Sequence, residues 1–392
     1  MIAPGLVRLA RRTSARIQGS FSSPLHDERI AAALGIALGV SFSVCFATGL
    51  FSNLLQDNPS WAFWPSRPAG LYRVTQGVHV TTGLASIPLL LAKLWVVYPK
   101  LFAWPAFSSL AHLVERLTLL VLVGGGLFLV FTGLGNINIY RPWSFGFRPG
   151  HYWAAWTTIG AMIVHIGAKA GTTRLVLRGT GEPLGAPDAE RTNTGGLGRR
   201  GFLGTVFGAS GAVALFTVGQ TFAPLRKLAL LAPRRPDVGP QGFPINRTAA
   251  SAGVTETAFD PGYRLTVEGP GGPLRLSLAD LRDRPQHEAT LPIACVEGWS
   301  AEARWRGVRV RDLLAEVGAP DDAGARVVSF QRGRRLGSSD LHANAAHDPD
   351  TLLALEVNGE PLHVEHGYPL RLIGPNRPGV LQTKWVDRLE AR

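Results

Sequence analysis

The sequence has little cysteine, little methionine and little charge. Two cysteines and two methionines occur in 392 residues, and Asp, Glu, Lys and Arg together make up 17%. Cys45 falls inside an apolar run, where it reads as packed among helices, so a disulfide to Cys295 is not expected. Acidic residues are outnumbered 28 to 40 by basic ones, for a formal net charge of +12. Such a balance raises the question of nucleic acid, but no nucleic-acid motif is present. The lysines and arginines fall between apolar segments instead, which is the pattern of membrane topology. The first 29 residues are basic and lack a long apolar core, so an N-terminal signal peptide is not expected.

Apolar residues, by contrast, are abundant at 46%, as suits a chain that is part membrane and part soluble. Five apolar stretches, about 30–55, 74–97, 117–139, 151–168 and 201–225, are each long enough to cross a bilayer, which needs roughly 20 residues of helix. With the N-terminus inside, the inner segments hold fourteen lysines and arginines, from Arg8 through Arg191 to Arg200. The outer ones hold four, Arg67, Arg73, Arg141 and Arg148. That asymmetry predicts an inner N-terminus, membrane lipid as a partner of residues 1–225, and everything after about 226 on the extracytoplasmic side of the cytoplasmic membrane.

Ionisable residues within spans are functional candidates. His79, His151 and His165 lie in or at the ends of the second and fourth stretches, and His26 and His112 at inner ends of the first and third. Imidazoles on facing helices can hold haem b between them, and no Cys-x-x-Cys-His marks a covalent haem. His79 can pair with His151 or with His165, and His26 and His112 with His165. Four helices carrying these histidines, over about residues 26–172, resemble the prokaryotic di-haem cytochrome b membrane subunits. The resemblance implies haem iron at His79, His151 and His165, and quinone or a redox protein as electron partner.

The segment GRRGFLGTVFGASG, from 198, is similar to the twin-arginine export consensus, with Arg199 and Arg200 followed by Phe202 and Leu203. That pathway carries folded proteins, which predicts a cofactor already inserted in the domain that follows. Residues 226–245 read as a linker rich in Pro and Arg. Beyond it, YRLTVEG and LRLSL alternate as strands do, VRVRDLLAEVG reads as a strand entering a short helix, and Asn358-Gly359 marks a hairpin turn. The expected class is an all-α membrane bundle of five transmembrane helices followed by an α+β domain over 246–392.

Four motifs in order, ACVEGW, WRGVRVRDLL, LLALEVNGEPLHVEHGYPLRLIGP and QTKWVDRLE, resemble the sulfite oxidase family of molybdopterin-dependent oxidoreductases over about residues 240–390. The resemblance implies Mo-molybdopterin, with Cys295 as the thiolate ligand of molybdenum. It also implies His366, Arg371, Thr383 and Lys384 at the pterin, Asn246 and Arg247 as early cofactor contacts, and Ser338 and Ser339 in a small-residue loop before the hairpin. Soft thiolate suits a sulfur-bound metal, and guanidinium and ammonium suit phosphate.

Around the cysteine the sequence is closer to the periplasmic methionine sulfoxide reductase catalytic subunit, with Val296-Glu297-Gly298-Trp299-Ser300 where sulfite oxidases carry Gly-Asn-Arg. With the sequence ending just after QTKWVDRLE, the family's C-terminal dimerisation domain is not expected, nor is dimerisation by that route, and the oligomeric state stays open. The reading is an enzyme that moves an oxygen atom to or from a sulfur or nitrogen oxide, coupled to membrane electron transfer. A haem-free anchor and a non-catalytic binding module remain the alternatives, and substrate and direction stay open.

Overall fold

The computed structural model describes residues 4–19, 23–59, 61–62, 64–102, 109–140, 142–179, 197–331 and 337–392. Arg141 and Arg191, two of the charges used for orientation, lie outside the described residues. The chain forms two compact units. One comprises Met1–Ala47 and His79–Phe216, the other Thr48–Val78 and Thr217–Arg392. The second unit therefore includes the segment that joins the first two apolar helices.

The N-terminal region is helical: α1 Pro4–Gly19, α2 Glu28–Asp57, α3 Leu71–Leu101, α4 Leu110–Ile137, α5 Phe147–Arg178 and α6 Arg199–Val218. Four helices among the described residues are long and apolar enough to cross a membrane: Glu28–Asp57, Leu71–Lys100, His112–Ile137 and Arg199–Val218. The fourth expected span lies inside α5, which has 32 residues but is not among the four. Residues 149–168 of α5 carry no charge, so it is the histidine, tyrosine, tryptophan, threonine and glycine among them that hold its hydropathy down.

The fifth expected span, 201–225, is cut short at Val218. A Cβ on Gly219 would stand 2.1 Å from the Leu225 carbonyl oxygen, so the chain doubles back there. A 3-10 turn, Ala223–Leu228, with proline near its start, follows. Helix α1 reads from sequence only as a basic flank. Ser109 caps α4 by accepting the His112 amide, and Gly179, at φ 76°, ends α5. A Cβ on Gly125 would fall 2.1 Å from Thr158 Oγ1, so the Thr158 side chain of α5 packs directly on the α4 backbone, which the glycine leaves open.

The second unit mixes short helices with two five-stranded sheets. Its helices are α7 Ala249–Ala252, α8 Thr255–Ala258, α9 Leu278–Asp283, α10 Val310–Glu316 and α11 Ala343–Ala346. Its strands are β1 Arg264–Glu268, β2 Leu274–Ser277, β3 His287–Ala294, β4 Ser300–Arg309, β5 Ala325–Ser329, β6 Ser338–Leu341, β7 Leu352–Val357, β8 Glu360–Pro361, β9 Arg371–Ile373 and β10 Val386–Ala391. One sheet runs β2-β1-β10-β5-β6, with β1 and β10 parallel; the other runs β3-β4-β7-β8, with β9 also on β7.

The expected strands and the strand-to-helix step at Val310 are present. Asn358 and Gly359, at φ 55° and 86°, make the two-residue turn from β7 to β8. One core gathers Leu265, Val327, Leu353 and Leu389 with Leu313 and Leu314 of α10. A second gathers Phe243, Ile293, Trp299, Trp305 and Leu352 around Cys295.

Candidate functional site

β3 and β4 pair up to Ala294 opposite Ser300, and Cys295 through Trp299 form the loop between them. The Cys295 amide donates to the Trp299 carbonyl (3.0 Å), and the Gly298 amide donates to the Cys295 carbonyl (3.1 Å), which fixes the cysteine backbone. Gly298 sits at φ 100°, a conformation that side chains resist. The segment after β9 closes against this loop. Ala294 bridges Pro378, and a Cβ on Gly379 would stand 2.8 Å from the Ala294 carbonyl oxygen.

Cys295 itself is 3% exposed. Burial, and after it the negative charge of Glu297, push its thiol up to about 12. Glu297 is held in turn: it accepts the Trp299 indole N–H (2.9 Å) and pairs with Arg234 (3.2 Å). Arg234 comes from the stretch expected to be a linker, and it also donates to the Ile245 carbonyl.

His366, Arg371, Thr383 and Lys384 are brought together by backbone pairing. Leu372 N donates to the Thr383 carbonyl (2.8 Å), Val386 N to Leu370 (2.9 Å) and Trp385 N to Gly367 (3.4 Å). Gly367, at φ 113°, would put a Cβ 3.1 Å from the Arg371 Cβ and 3.2 Å from the Lys384 Cβ, so only glycine fits this crossing without displacement. His366 donates from Nε2 to the Pro240 carbonyl (2.7 Å) and stacks on Phe243 at 3.8 Å between ring centres. Burial first, then the Arg371 charge, lower it to about 3, so it stays a neutral ring.

Arg371 lies 5.3 Å over the Trp305 ring and donates from Nη1 to the His366 carbonyl (2.9 Å). Its Nε and Nη2 are buried without a partner, and burial lowers it to about 9. Lys384 donates to the carbonyls of Arg247 (2.9 Å) and Glu365 (2.7 Å), and burial holds it well below the usual lysine range.

Arg247 thus joins this cluster through its carbonyl, while Asn246 lies half-buried in the bend before it. The two serines part ways. Both lie on strand β6 rather than in a loop. Ser339 shares a 2.7 Å hydrogen bond with Thr383, both buried, whereas Ser338 accepts from Arg326 (3.1 Å).

Arg377, which the sequence reading does not single out, is 7% exposed. It donates to the carbonyls of Asp340 (3.1 Å) and Leu381 (3.2 Å) and keeps a buried, partnerless Nε. Its signal in the sequence is a lone charge in the apolar run LIGPNRPGVL. Gln331 likewise buries a partnerless Nε2. Buried cations and amides with N–H groups to spare are unfavourable unless a ligand accepts from them. An anionic, polar pterin beside a thiol-bearing loop fits this donor set.

In the first unit the structure brings His79 and His151 together, with ring centres 6.3 Å apart and planes 76° apart. His79 Nδ1 lies 2.9 Å from the Cys45 carbonyl oxygen, which can only accept, so the proton sits on Nδ1. His151 Nδ1 is 3.0 Å from Thr132 Oγ1, a hydroxyl that also lies 2.7 Å from the Phe128 carbonyl. With that hydroxyl donating to Phe128, His151 also carries its proton on Nδ1.

Among the described residues His165 makes no ring contact with either histidine, and its Nδ1 is buried without a partner. His26 lies against the Val96 carbonyl oxygen and the Trp95 ring, and His112 accepts from Arg116.

Comparison with known proteins bears on the C-terminal part of the second unit. Residues 252–392 match the oxidoreductase molybdopterin binding domain family. The sulfite oxidase of Gallus gallus is 35% identical over 32% of this chain and 34% of its own length. The mitochondrial sulfite oxidase of Homo sapiens is 34% identical over 33% of this chain and 29% of its own. An uncharacterized oxidoreductase of Bacillus subtilis, YuiH, is 34% identical over 30% of this chain and 59% of its own. The chain therefore spans about a third of the length of these sulfite oxidases. Residues 252–392 are thus similar to the molybdopterin-binding domain of sulfite oxidases, and they follow in sequence a helical region that contains four apolar helices among its described residues.

Proposed function

We propose that the chain is a membrane-anchored molybdopterin-dependent oxidoreductase, acting on a small or protein-bound sulfur or nitrogen oxide and exchanging electrons with the membrane through haem b. The observation that carries the catalytic half is the set of buried donors, Arg371, Arg377 and Lys384, in the domain that presents Cys295 on a fixed loop. Cys295 would ligate molybdenum. Arg371, Lys384, Thr383, Ser339 and the carbonyl-anchored His366 would hold the pterin and its phosphate, with Asn246 and Arg247 at its edge. When bound, the cofactor supplies two-electron oxygen-atom transfer. The chain's own part is to exclude water around Cys295, neutralise the phosphate and keep His366 neutral, with Nδ1 turned to accept a hydrogen bond.

The haem half rests on His79 and His151. Two nitrogens about 2 Å either side of a metal, each roughly 1 Å from its ring centre, put the centroids about 6 Å apart. The observed 6.3 Å, with both rings steered through Nδ1, supports a haem between them rather than between His79 and His165. A haem supplies one-electron transfer, so quinone or a redox protein would complete the circuit. α5 would then cross the membrane with the four apolar helices. The inner N-terminus and an exported catalytic domain follow from the arginine asymmetry and from Arg199-Arg200.

Purification of the full chain from membranes, followed by molybdenum quantification and a reduced-minus-oxidised spectrum, tests both halves separately. One molybdenum per chain and a b-type spectrum lost in His79→Ala are expected. Absence of molybdenum from protein made in cells that supply the cofactor would sink the catalytic reading. Full molybdenum without Soret absorption would sink the haem and leave an anchor.

A further inference from the structure

The Val296 and Gly298 carbonyls and the Ser300 amide, all in or beside the loop that carries Cys295, take hydrogen-bond partners from outside the β3–β4 hairpin. Gln76 Nε2 donates to the Val296 carbonyl at 2.8 Å. Thr221 Oγ1 donates to the Gly298 carbonyl at 2.7 Å, and the Ser300 amide donates to the Gln220 carbonyl at 2.9 Å. Gln76 is aimed by its other end, since Ser52 Oγ donates to its Oε1 at 2.8 Å and Gln56 Nε2 donates to Ser52 Oγ at 3.0 Å. Gln76 and Ser52 are each 5% exposed, so these bonds form away from water, where losing one partner costs most.

Thr221 is seated by Gly77. A Cβ there would fall 2.5 Å from Thr221 Cγ2 and 2.7 Å from its Oγ1. The same group of segments docks on the other wall of the loop. Asn376, one residue before Arg377, accepts the Tyr72 amide (2.8 Å) and donates to the Pro65 carbonyl (2.7 Å). Tyr72 packs against Ala294, the residue before the cysteine. Residues 48–78 and 217–221 thus grip the cysteine loop from three carbonyl and amide positions within five residues of Cys295.

We propose that Gln76 and Thr221 are positioning residues for Cys295, and that the segments flanking the apolar helices set the geometry of the thiolate ligand. This rests on the reading of Cys295 as that ligand. The hydrogen bonds point at backbone and not at the pterin donors, so the two residues act through the loop: they fix where the sulfur stands while contributing nothing to cofactor affinity. A glutamine and a threonine are suited to this, because each offers a donor without charge and neither can replace the thiol as a ligand of comparable softness.

The test uses the full chain in detergent, as wild type, Gln76→Leu, Thr221→Val and Thr221→Ser. Molybdenum content, the thiolate-to-metal absorption band and the Mo(V) magnetic resonance g-values are measured on each. The expected result is wild-type molybdenum content in all four. The band and g-values shift in Gln76→Leu and Thr221→Val, kcat falls about tenfold or more at constant KM, and Thr221→Ser restores all three. A second readout is independent of metal. In cofactor-free protein carrying Cys45→Ala, Cys295 is the remaining thiol, and its alkylation by iodoacetamide should speed up about tenfold in Gln76→Leu and Thr221→Val but not in Thr221→Ser. Unchanged g-values together with an unchanged alkylation rate would overturn the proposal. So would a loss of molybdenum that Thr221→Ser does not repair, since that marks a general packing role. If the wild type takes up no metal, the ligand reading fails on that count, and the alkylation rates still decide whether Gln76 and Thr221 hold the loop.

Discussion

Replacing Arg371 by methionine should stabilise the empty protein and disable the loaded one. The side chain is 1% exposed, and burial alone lowers its guanidinium from 12.5 to about 9. At about 1.4 kcal/mol per pH unit, holding that charge inside the fold costs on the order of 5 kcal/mol relative to water. Two contacts offset part of this. The hydrogen bond to the His366 carbonyl is worth about 2 kcal/mol, and the stacking over Trp305 about 1 to 2 kcal/mol. Methionine fills similar space, keeps contact with the indole and carries no charge to desolvate.

The cofactor-free variant should therefore be about 1 to 2 kcal/mol more stable, which for a unit of this size raises Tm by roughly 3 to 6 °C. With the cofactor present the order should reverse, because two buried N–H donors for its phosphate are gone and molybdenum content should drop about tenfold or more. Thermal unfolding of both proteins, made in cells with and without molybdopterin synthesis, gives the four numbers needed. A cofactor-free Arg371→Met that melts at or below wild type would refute the account of Arg371 as a charge buried for a ligand.

Cys295→Ser should insert and fold as wild type, since serine keeps the size of a 3% exposed side chain, and lose turnover entirely; wild-type turnover on any sulfoxide or sulfite substrate would contradict the ligand role. Exchanging Arg199 and Arg200 for lysine preserves charge but not the export motif, so protease added outside should no longer reach the C-terminal domain; unchanged cleavage would reduce the pair to a topological flank. His366 titrates at about 3 in the fold against an ordinary 6.5, so the unfolded chain takes up the proton first. Its contribution is complete above about pH 6.5 and declines by up to about 1.4 kcal/mol per pH unit as pH falls toward 3. His366→Gln should flatten the fall of denaturation midpoint between pH 6 and 4 by one proton's worth, and equal slopes in the two proteins would show that His366 is not the group responsible.

What the sequence made legible was what depends on neighbours along the chain. The Asn358-Gly359 turn, the alternation of β1 and β2, and the step from β4 into α10 are local patterns, and each appears where its residues put it. Hydropathy likewise found four helices, because desolvating apolar side chains needs no knowledge of the partner. It failed at ends: Val218 stops α6 for a reason, the approach of Gly219 to Leu225, that hydropathy averages away. The proposed site was legible where its residues share one motif, as His366 and Arg371 do. It was not legible for Arg377, Arg234 or Gln76, whose roles come from contacts across 37, 63 and 220 positions of chain.

The cysteine loop shows why those distant contacts matter chemically. A nucleophilic cysteine is made by lowering its pKa with a cation or a helix N-terminus. At Cys295 the two largest influences act the other way: full burial, then the carboxylate two residues along. Arg234, which would help a thiolate, is instead paired with Glu297, and the Trp299 indole donates to the same carboxylate. The protein thus keeps an uncharged thiol at neutral pH, rigid in backbone and shielded from water. A thiol held this way is a poor catalyst by itself. As a ligand of a metal cation it would give up its proton, and coordination would supply the stabilisation that burial withholds. Burial and the adjacent acid therefore disfavour the nucleophile reading, while the ligand role proposed for Cys295 rests on its place in the ACVEGW motif.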